Sequence, residues 1–129
     1  MAPDALGRAW IDAFNAHDVE RLIALYADDC THTSPKIRAL HPETGGKLVG
    51  KAALRTWWTD AIKRLPGLRY ELVRLTANDE RVVLEYLVHF DAAVTRATAA
   101  ADVLDPGLVE TLGGDGGAAA LAGAPSSGR

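Results

Sequence analysis

The stretch that decides the fold is residues 4–29, DALGRAWIDAFNAHDVERLIALYADD. After a capping aspartate, Leu6, Trp10 and Phe14 recur at helical spacing and predict a first helix with one apolar face. A second capping residue, Asp18, precedes another apolar run and predicts a second helix. The chain therefore begins as a pair of short helices that share one core.

The sequence downstream predicts a third helix and three strands. Residues 30–34 form a Thr-rich run that stops at Pro35, which is typical of a strand, and residues 51–65 carry an apolar helical stripe. Residues 68–76 and 81–90 read as two strands joined by a hairpin turn. This order indicates an α+β fold, with three helices packed on one face of a curved sheet.

Composition divides the 129 residues into two parts near residue 90. Residues 1–90 hold all eight aromatic side chains, whereas residues 91–129 hold 11 Ala and 7 Gly and account for the whole net charge of −3. Because Ala and Gly bury little area, they offset little of the entropy lost on ordering the chain. We therefore predict a domain over 1–90 and a largely disordered tail over 91–129, with a short helix around 94–104 as the one ordered alternative.

Charge and cysteine content exclude several classes of function. A net charge of −3 gives no basic field for nucleic acid, and the single Cys30 excludes an internal disulfide framework. The longest apolar runs are too short for a membrane span, and the first residues have no secretory pattern. The histidines lack a two-His helical spacing, so no metal and no other cofactor is expected. These features predict a cytoplasmic protein with neither nucleic-acid nor membrane partners.

Several short motifs in order carry a family resemblance. They are residues 13–18 (AFNAHD), 25–29 (LYADD), 50–55 (GKAALR) and the pair Trp57-Trp58. Together they resemble the nuclear transport factor 2-like superfamily, and within it the SnoaL-like branch with its polyketide cyclases and ketosteroid isomerases. The resemblance covers about residues 5–90.

That resemblance implies a cone-shaped curved mixed sheet around a long helix, an apolar pocket at its open end, and a homodimer. The family fold usually has two further strands after the position of Phe90. The sequence after Asp91 departs from that pattern, which predicts that the last strands are missing or altered. Two explanations stay open, a divergent tail or a shifted reading frame in a GC-rich gene.

The resemblance also allows the ketosteroid isomerase chemistry to be checked residue by residue. The family's carboxylate base falls on Ser34, and its helix-1 tyrosine falls near Trp10. A serine without an adjacent base cannot accept a proton near neutral pH, and an indole N–H cannot act as an acid. Steroid isomerisation by the family's residues is therefore not supported.

His32 is the remaining candidate for acid–base catalysis, because it shares a predicted strand face with Cys30 and Ser34. The residues expected to line an apolar ligand pocket are Trp10, Tyr26, Cys30, Ser34 and Trp58. The alternative reading is structural: a hydrogen-bonded histidine, and aromatic side chains that belong to the helix faces of the core.

Three hypotheses follow for function. The first is an enzyme that transfers a proton on a hydrophobic carbonyl compound, as in isomerisation or cyclisation, with His32 as the catalytic group. The second is a non-catalytic ligand-binding or interaction module with an apolar small molecule as its partner. The third is a truncated or frameshifted family member without function.

Overall fold

The computed structural model describes residues 2–102 and 107–112. Its elements in chain order are α1 (Pro3–Asn15), α2 (Val19–Ile23), β1 (Thr31–Thr33), α3 (Pro35–Leu40), a 3₁₀ turn (Pro42–Thr44), β2 (Lys47–Val49), α4 (Lys51–Arg64), β3 (Arg69–Ala77), β4 (Arg81–Phe90), β5 (Ala93–Asp102) and β6 (Gly107–Leu112). Among the described residues, none of the helices combines the length and apolarity needed to cross a bilayer.

The strands form one mixed sheet in the order β2-β1-β6-β5-β4-β3. The β1–β6 pair is parallel and the other neighbours are antiparallel. A β-bulge between Leu72 and Arg74 interrupts the register of β3, and a bulge of this kind bends and twists a strand. The expected α+β class, with helices on a curved sheet, is confirmed.

Helix α1 lies against β3 and β4. Its buried stripe includes Trp10, Ile11 and Phe14, and the spacing of Trp10 and Phe14 contributed to the prediction of this helix. Gly7 belongs to the same stripe, and a Cβ atom placed on it would lie 2.9 Å from methyl groups of both Val82 and Leu84. The absence of a side chain at Gly7 therefore allows the helix to approach the sheet closely.

The core is an aromatic cluster between α1, α4 and the inner face of the sheet. Phe14 and Tyr70 stack with centroids 3.9 Å apart, and Trp58 meets Phe14 edge-on at 5.2 Å. Tyr86 joins the cluster at 4.5 Å from Tyr70. The inner face of β4 alternates along the strand: Val82, Leu84, Tyr86 and Val88 are all buried.

The structure corrects the prediction for the residues after Phe90. Strand β5 replaces the helix expected around 94–104, and β6 follows it, so the ordered sheet does not stop at residue 90. β5 pairs with β4 without a break from Phe90↔Ala93 to Arg81↔Asp102. The alanines favour a helix in isolation, but ladder pairing and alternate burial outweigh that weak local preference. The disorder predicted for residues 113–129 lies outside the described residues.

The sequence predicted that the last two strands are missing or altered. Both strands are present, and what is altered is the residue composition of β5. On its inner face Thr95, Ala97 and Ala99 are buried, whereas Val94 and Arg96 are exposed on the outer face. The chain enters this strand through a tight turn in which Asp91 adopts a φ of 53°, a left-handed conformation that Asp tolerates better than most residues. An alternation of small and polar residues therefore replaces the usual alternation of large apolar and polar residues.

A second difference is helix α3, because the sequence predicted three helices and none of them covered residues 35–40. Ser34 caps the helix by accepting a hydrogen bond from the backbone N–H of Lys36 at 3.1 Å, and Pro35 occupies the first turn. A Ser-Pro pair at a helix start satisfies both capping and proline preferences. The proline that was read as a strand terminator is also a helix initiator.

Candidate ligand cavity

A cavity of about 70 Å³, partly open to solvent, lies between α1, the segment that follows α2, and the inner face of β4 and β5. Its walls are mainly apolar, with a few polar groups. The lining residues are Leu6, Gly7, Trp10, Leu25, Tyr26, Ala27, Cys30, Thr31, Val82, Leu84, Ala99, Ala101 and Asp102.

The small side chains of β5 leave this space open. Ala99 and Ala101 point to the cavity from the strand, opposite Leu84 and Val82 of β4 in the sheet register. A larger aliphatic side chain at either position would occupy volume that is now empty. The Ala-rich composition that suggested disorder is therefore what creates the cavity.

Trp10 and Tyr26 form the aromatic wall of the cavity. The indole Nε1–H of Trp10 donates a hydrogen bond of 2.9 Å to the hydroxyl oxygen of Tyr26. This bond ties α1 to the segment after α2 and fixes both rings relative to each other. Trp10 also packs on Tyr86 at 5.9 Å and on Tyr70 at 5.7 Å, so the wall is continuous with the core.

Cys30 contributes its thiol to the apolar lining. The residue is buried, and burial raises the pKa of the Cys30 thiol, while the backbone N–H of Gly50 and the charge of Lys51 oppose that rise only in part. A raised pKa keeps the group in its neutral form at physiological pH. Cys30 is thus suited to packing against an apolar ligand and poorly suited to nucleophilic attack.

This assignment predicts how stability depends on pH. Because the folded pKa lies above the unfolded value, the stabilising contribution of the neutral thiol is complete below about pH 8.5 and is lost as the pH rises toward the folded pKa. Wild-type protein should therefore lose more of its free energy of unfolding between pH 8 and pH 10 than Cys30→Ser does. Urea denaturation of both proteins across this range measures the difference, and parallel losses in the two proteins would contradict it.

Asp102, at the end of β5, is also a lining residue that the sequence analysis did not select, although the strand register places its side chain with Arg81 on the outer face of the sheet. Its Oδ1 accepts a hydrogen bond of 2.6 Å from Nε of Arg81, the register partner at the start of β4. That contact raises the pKa of the Arg81 guanidinium. Asp102 was missed because residues 91–129 were read as a tail. An alternation search over residues 93–102 that counted Ala as an inward residue would have located Ala99 and Ala101.

The structure brings three of the predicted pocket residues together and places the others elsewhere. Trp10, Tyr26 and Cys30 line the cavity, whereas Ser34 caps α3 and Trp58 lies in the aromatic core. His32, the predicted catalytic residue, is fully buried and does not line the cavity. Its ring lies 6.4 Å from Tyr26 and 5.5 Å from Trp58. His32 therefore lies behind the aromatic wall, one inward position further along the chain than Cys30.

A buried lysine, Lys36, lies beside the ring of Trp58, which His32 also approaches. The Nζ of Lys36 lies 5.8 Å from the centroid of the Trp58 ring, within the range of a cation–π contact. His32, Ser34 and Lys36 all have buried polar side chains, so the interior next to the cavity wall also contains polar groups. Within the described residues there is no cluster of His, Cys, Asp and Glu side chains that could hold a metal ion.

Two residues at the junction of α1 and α2, His17 and Asp18, make structural contacts. His17 adopts a φ of 54°, and its Nε2 lies 2.8 Å from the carbonyl oxygen of Leu68. Asp18 caps α2 by accepting a bond from the backbone N–H of Arg21. The paired carboxylates Asp28 and Asp29 are exposed in the turn before β1 and do not line the cavity.

Comparison with known proteins agrees with this architecture. The sequence model of the SnoaL-like domain family matches residues 7–110. This protein belongs to the SnoaL-like family, as the short motifs predicted. The match continues twenty residues past Phe90, so a shifted reading frame beginning at residue 91 does not account for residues 91–110. A comparison with curated protein sequences gave no match.

Solved structures place the fold in the same group. A SnoaL-like protein of unknown function from Burkholderia thailandensis is 26% identical, with a TM-score of 0.72 over 85% of this chain and 92% of that one. A hypothetical protein with a ketosteroid isomerase-like fold from Catenulispora acidiphila, in complex with trimethylamine, is 15% identical, with a TM-score of 0.70 over 97% and 96% of the two chains. An NTF2-like protein of unknown function from Cytophaga hutchinsonii is 13% identical, with a TM-score of 0.66 over 88% and 91%.

Proposed function

We propose that this protein binds a small, mainly apolar organic molecule in the cavity between α1, β4 and β5. The observation that carries the proposal is the cavity itself, whose apolar walls hold a few polar groups at fixed positions, a combination typical of ligand sites. A water molecule needs about 10–15 Å³ of cavity volume. A cavity of about 70 Å³ therefore admits a molecule of about five to seven non-hydrogen atoms. The fold neighbour from Catenulispora acidiphila also holds a small organic molecule.

A pair of neighbouring alanines allows a matched test. Ala99 lines the cavity, and Ala100 lies on the opposite face of the same strand. Ala99→Leu should fill the cavity and weaken the binding of small ketones, alcohols and amines by at least about tenfold, because the ligand loses its apolar contacts. Ala100→Leu should leave affinity unchanged. The Nε1–H resonance of Trp10 in NMR titrations reports binding directly, since Trp10 lines the cavity while Trp57 and Trp58 do not.

The result that would contradict the proposal is equal affinity in the wild-type protein and in Ala99→Leu. If Ala99→Leu unfolds, Ala101→Val provides a milder filling of the same cavity, since Ala101 is only half-buried. Circular dichroism of each variant establishes that it is folded before the titration.

A further inference from the structure

We propose that the cavity selects an uncharged molecule that lacks hydrogen-bonding groups, such as a small cyclic hydrocarbon, and that Tyr26 sets this preference. The preference rests on the proposed binding function and narrows its ligand class. Among the described lining residues, the strongly polar side chains either lie on the outer face of the sheet or bond to each other. A ligand inside the cavity therefore regains few of the hydrogen bonds that it made with water.

The sheet presents aliphatic side chains to the cavity. The described lining residues on the inner face of β4 and β5 are Val82, Leu84, Ala99 and Ala101. Asp102 follows this set and pairs with the exposed Arg81, so alternation along the strand places its carboxylate on the outer face. Thr31 of β1 pairs with the exposed Val49, and paired residues of neighbouring strands share a face, so its hydroxyl also lies on the outer face. A charged ligand therefore meets no counter-charge among these residues.

The aromatic wall joins its two polar side chains to each other. The indole Nε1–H of Trp10 donates to the hydroxyl oxygen of Tyr26 at 2.9 Å, so an acceptor group on a ligand has to compete with Tyr26 for this donor. Cys30 adds a thiol to the lining, and a thiol is only a weak donor and a weak acceptor. A carbonyl or hydroxyl group on a ligand thus loses its hydrogen bonds to water on entry and gains little from the wall.

The chemistry of the ligand then decides its affinity at a given shape. A hydrocarbon has no hydrogen bonds to lose, and the burial of its apolar surface is favourable. A ketone or an alcohol binds more weakly, because a polar group buried without a partner costs free energy. An ion binds most weakly, because a charge taken out of water needs an opposite charge beside it. The expected order of affinity is hydrocarbon, then neutral oxygen compound, then ion.

A series of cyclopentyl compounds of the size that the cavity admits tests this order at nearly constant shape. The compounds are methylenecyclopentane, cyclopentanone, cyclopentanol and cyclopentylammonium. We expect methylenecyclopentane to bind about tenfold more tightly than cyclopentanone, in which an oxygen atom replaces the exocyclic carbon, and the ammonium compound to bind most weakly. The Nε1–H resonance of Trp10 reports each titration, since Trp10 lines the cavity.

Tyr26→Phe tests whether the Tyr26 hydroxyl sets the preference. The variant removes the acceptor of the Trp10 N–H, so a ligand carbonyl oxygen can accept from the released donor. We expect the affinity for cyclopentanone to rise severalfold relative to that for methylenecyclopentane, with a downfield shift of the Trp10 Nε1–H resonance on binding. Tyr86→Phe makes the same change in a residue outside the cavity lining and should leave the ratio of the two affinities unchanged. If Tyr26→Phe does not fold, the order of affinities in the wild-type protein decides the ligand class.

The preference for hydrocarbons and the binding function fail in different ways. If cyclopentanone binds the wild-type protein as tightly as methylenecyclopentane, or if folded Tyr26→Phe leaves their ratio unchanged, the proposed preference is wrong and cavity binding still stands. Cyclopentanone binding that is lost in Tyr26→Phe would show that the Tyr26 hydroxyl donates to the ligand, and it would also overturn the preference. If neither this series nor the wider set of ketones, alcohols and amines perturbs Trp10, the binding function itself is wrong.

Discussion

Phe14→Ala is expected to destabilise the protein by about 3–5 kcal/mol, the range for truncating a buried phenylalanine. Phe14 is fully buried, stacked on Tyr70 at 3.9 Å and in edge contact with Trp58 at 5.2 Å. The truncation removes both aromatic contacts and leaves a hole that packed neighbours cannot close. A domain of this size has a total stability of about 5–15 kcal/mol, so the variant should be close to unfolding at physiological temperature. Urea denaturation followed by circular dichroism measures the loss.

Two variants control this experiment. Phe14→Leu keeps an apolar side chain of comparable bulk and should lose clearly less stability than Phe14→Ala. Val49→Ala removes apolar atoms from a residue that is 64% exposed on an edge strand, and it should change stability by no more than about 0.5 kcal/mol. A loss below about 1 kcal/mol in Phe14→Ala would show that the aromatic cluster is not the central packing unit of the fold.

The elements that could be predicted from sequence are those whose apolar residues are large. Trp10 and Phe14 mark the buried stripe of α1, and Val82, Leu84 and Tyr86 mark the inner face of β4, because burying large side chains dominates the free energy of folding. Periodicity of such residues reports directly which face lies inward. The same argument predicted the α+β class and the order of the first elements correctly.

Strand β5 shows where this reasoning fails. Its inward residues Ala97 and Ala99 bury little area and have a local preference for helix, so nothing local marks the strand. Pairing with β4 along its whole length determines the conformation, and pairing is a long-range property. The misreading of β5 also hid Ala99 and Ala101, which line the cavity. A site lined by a strand whose inward side chains are small is difficult to recognise from hydrophobic periodicity.

The predicted catalytic residue His32 lies outside the cavity lining for a related reason. His32, Cys30 and Ser34 do share inward positions, as alternation along the strand requires, and all three are buried. Alternation identifies a face but gives no depth within the molecule. Cys30 reaches the cavity, whereas His32 lies behind the wall and Ser34 ends the strand as a helix cap. Which buried polar residue meets a ligand is decided by the packing of Trp10 and Tyr26 across the sheet.

Asn15→Ala should lower the free energy of unfolding by about 2–4 kcal/mol. The Asn15 side chain makes two hydrogen bonds to the backbone of an edge strand, as a neighbouring strand would. Its Nδ2 donates to the carbonyl oxygen of Tyr70 at 2.7 Å, and its Oδ1 accepts from the Tyr70 N–H at 2.8 Å. Strand β3 is an edge of the sheet, and Tyr70 is only 1% exposed, so both backbone groups lose their partners in the variant. Each unsatisfied buried group costs about 1–3 kcal/mol. Chemical denaturation measures the loss against Asn78→Ala, which also removes two hydrogen bonds but in an exposed turn, with an expected cost of about 0.5–1 kcal/mol.

The Asn15→Asp variant distinguishes the hydrogen bond that Asn15 donates to Tyr70 from the one that it accepts. Above neutral pH the introduced carboxylate can still accept from the Tyr70 N–H, but it cannot donate to the Tyr70 carbonyl oxygen and repels it. That repulsion raises the pKa of the introduced carboxyl in the folded state, so stability is retained below the unfolded value of about 3.9 and is lost as the pH rises through the folded value. The deficit relative to wild type should therefore shrink between pH 7 and pH 4. A deficit that is constant over this range would show that the bond which Asn15 donates to the Tyr70 carbonyl oxygen contributes little, and that the bond which it accepts from the Tyr70 N–H provides the stability.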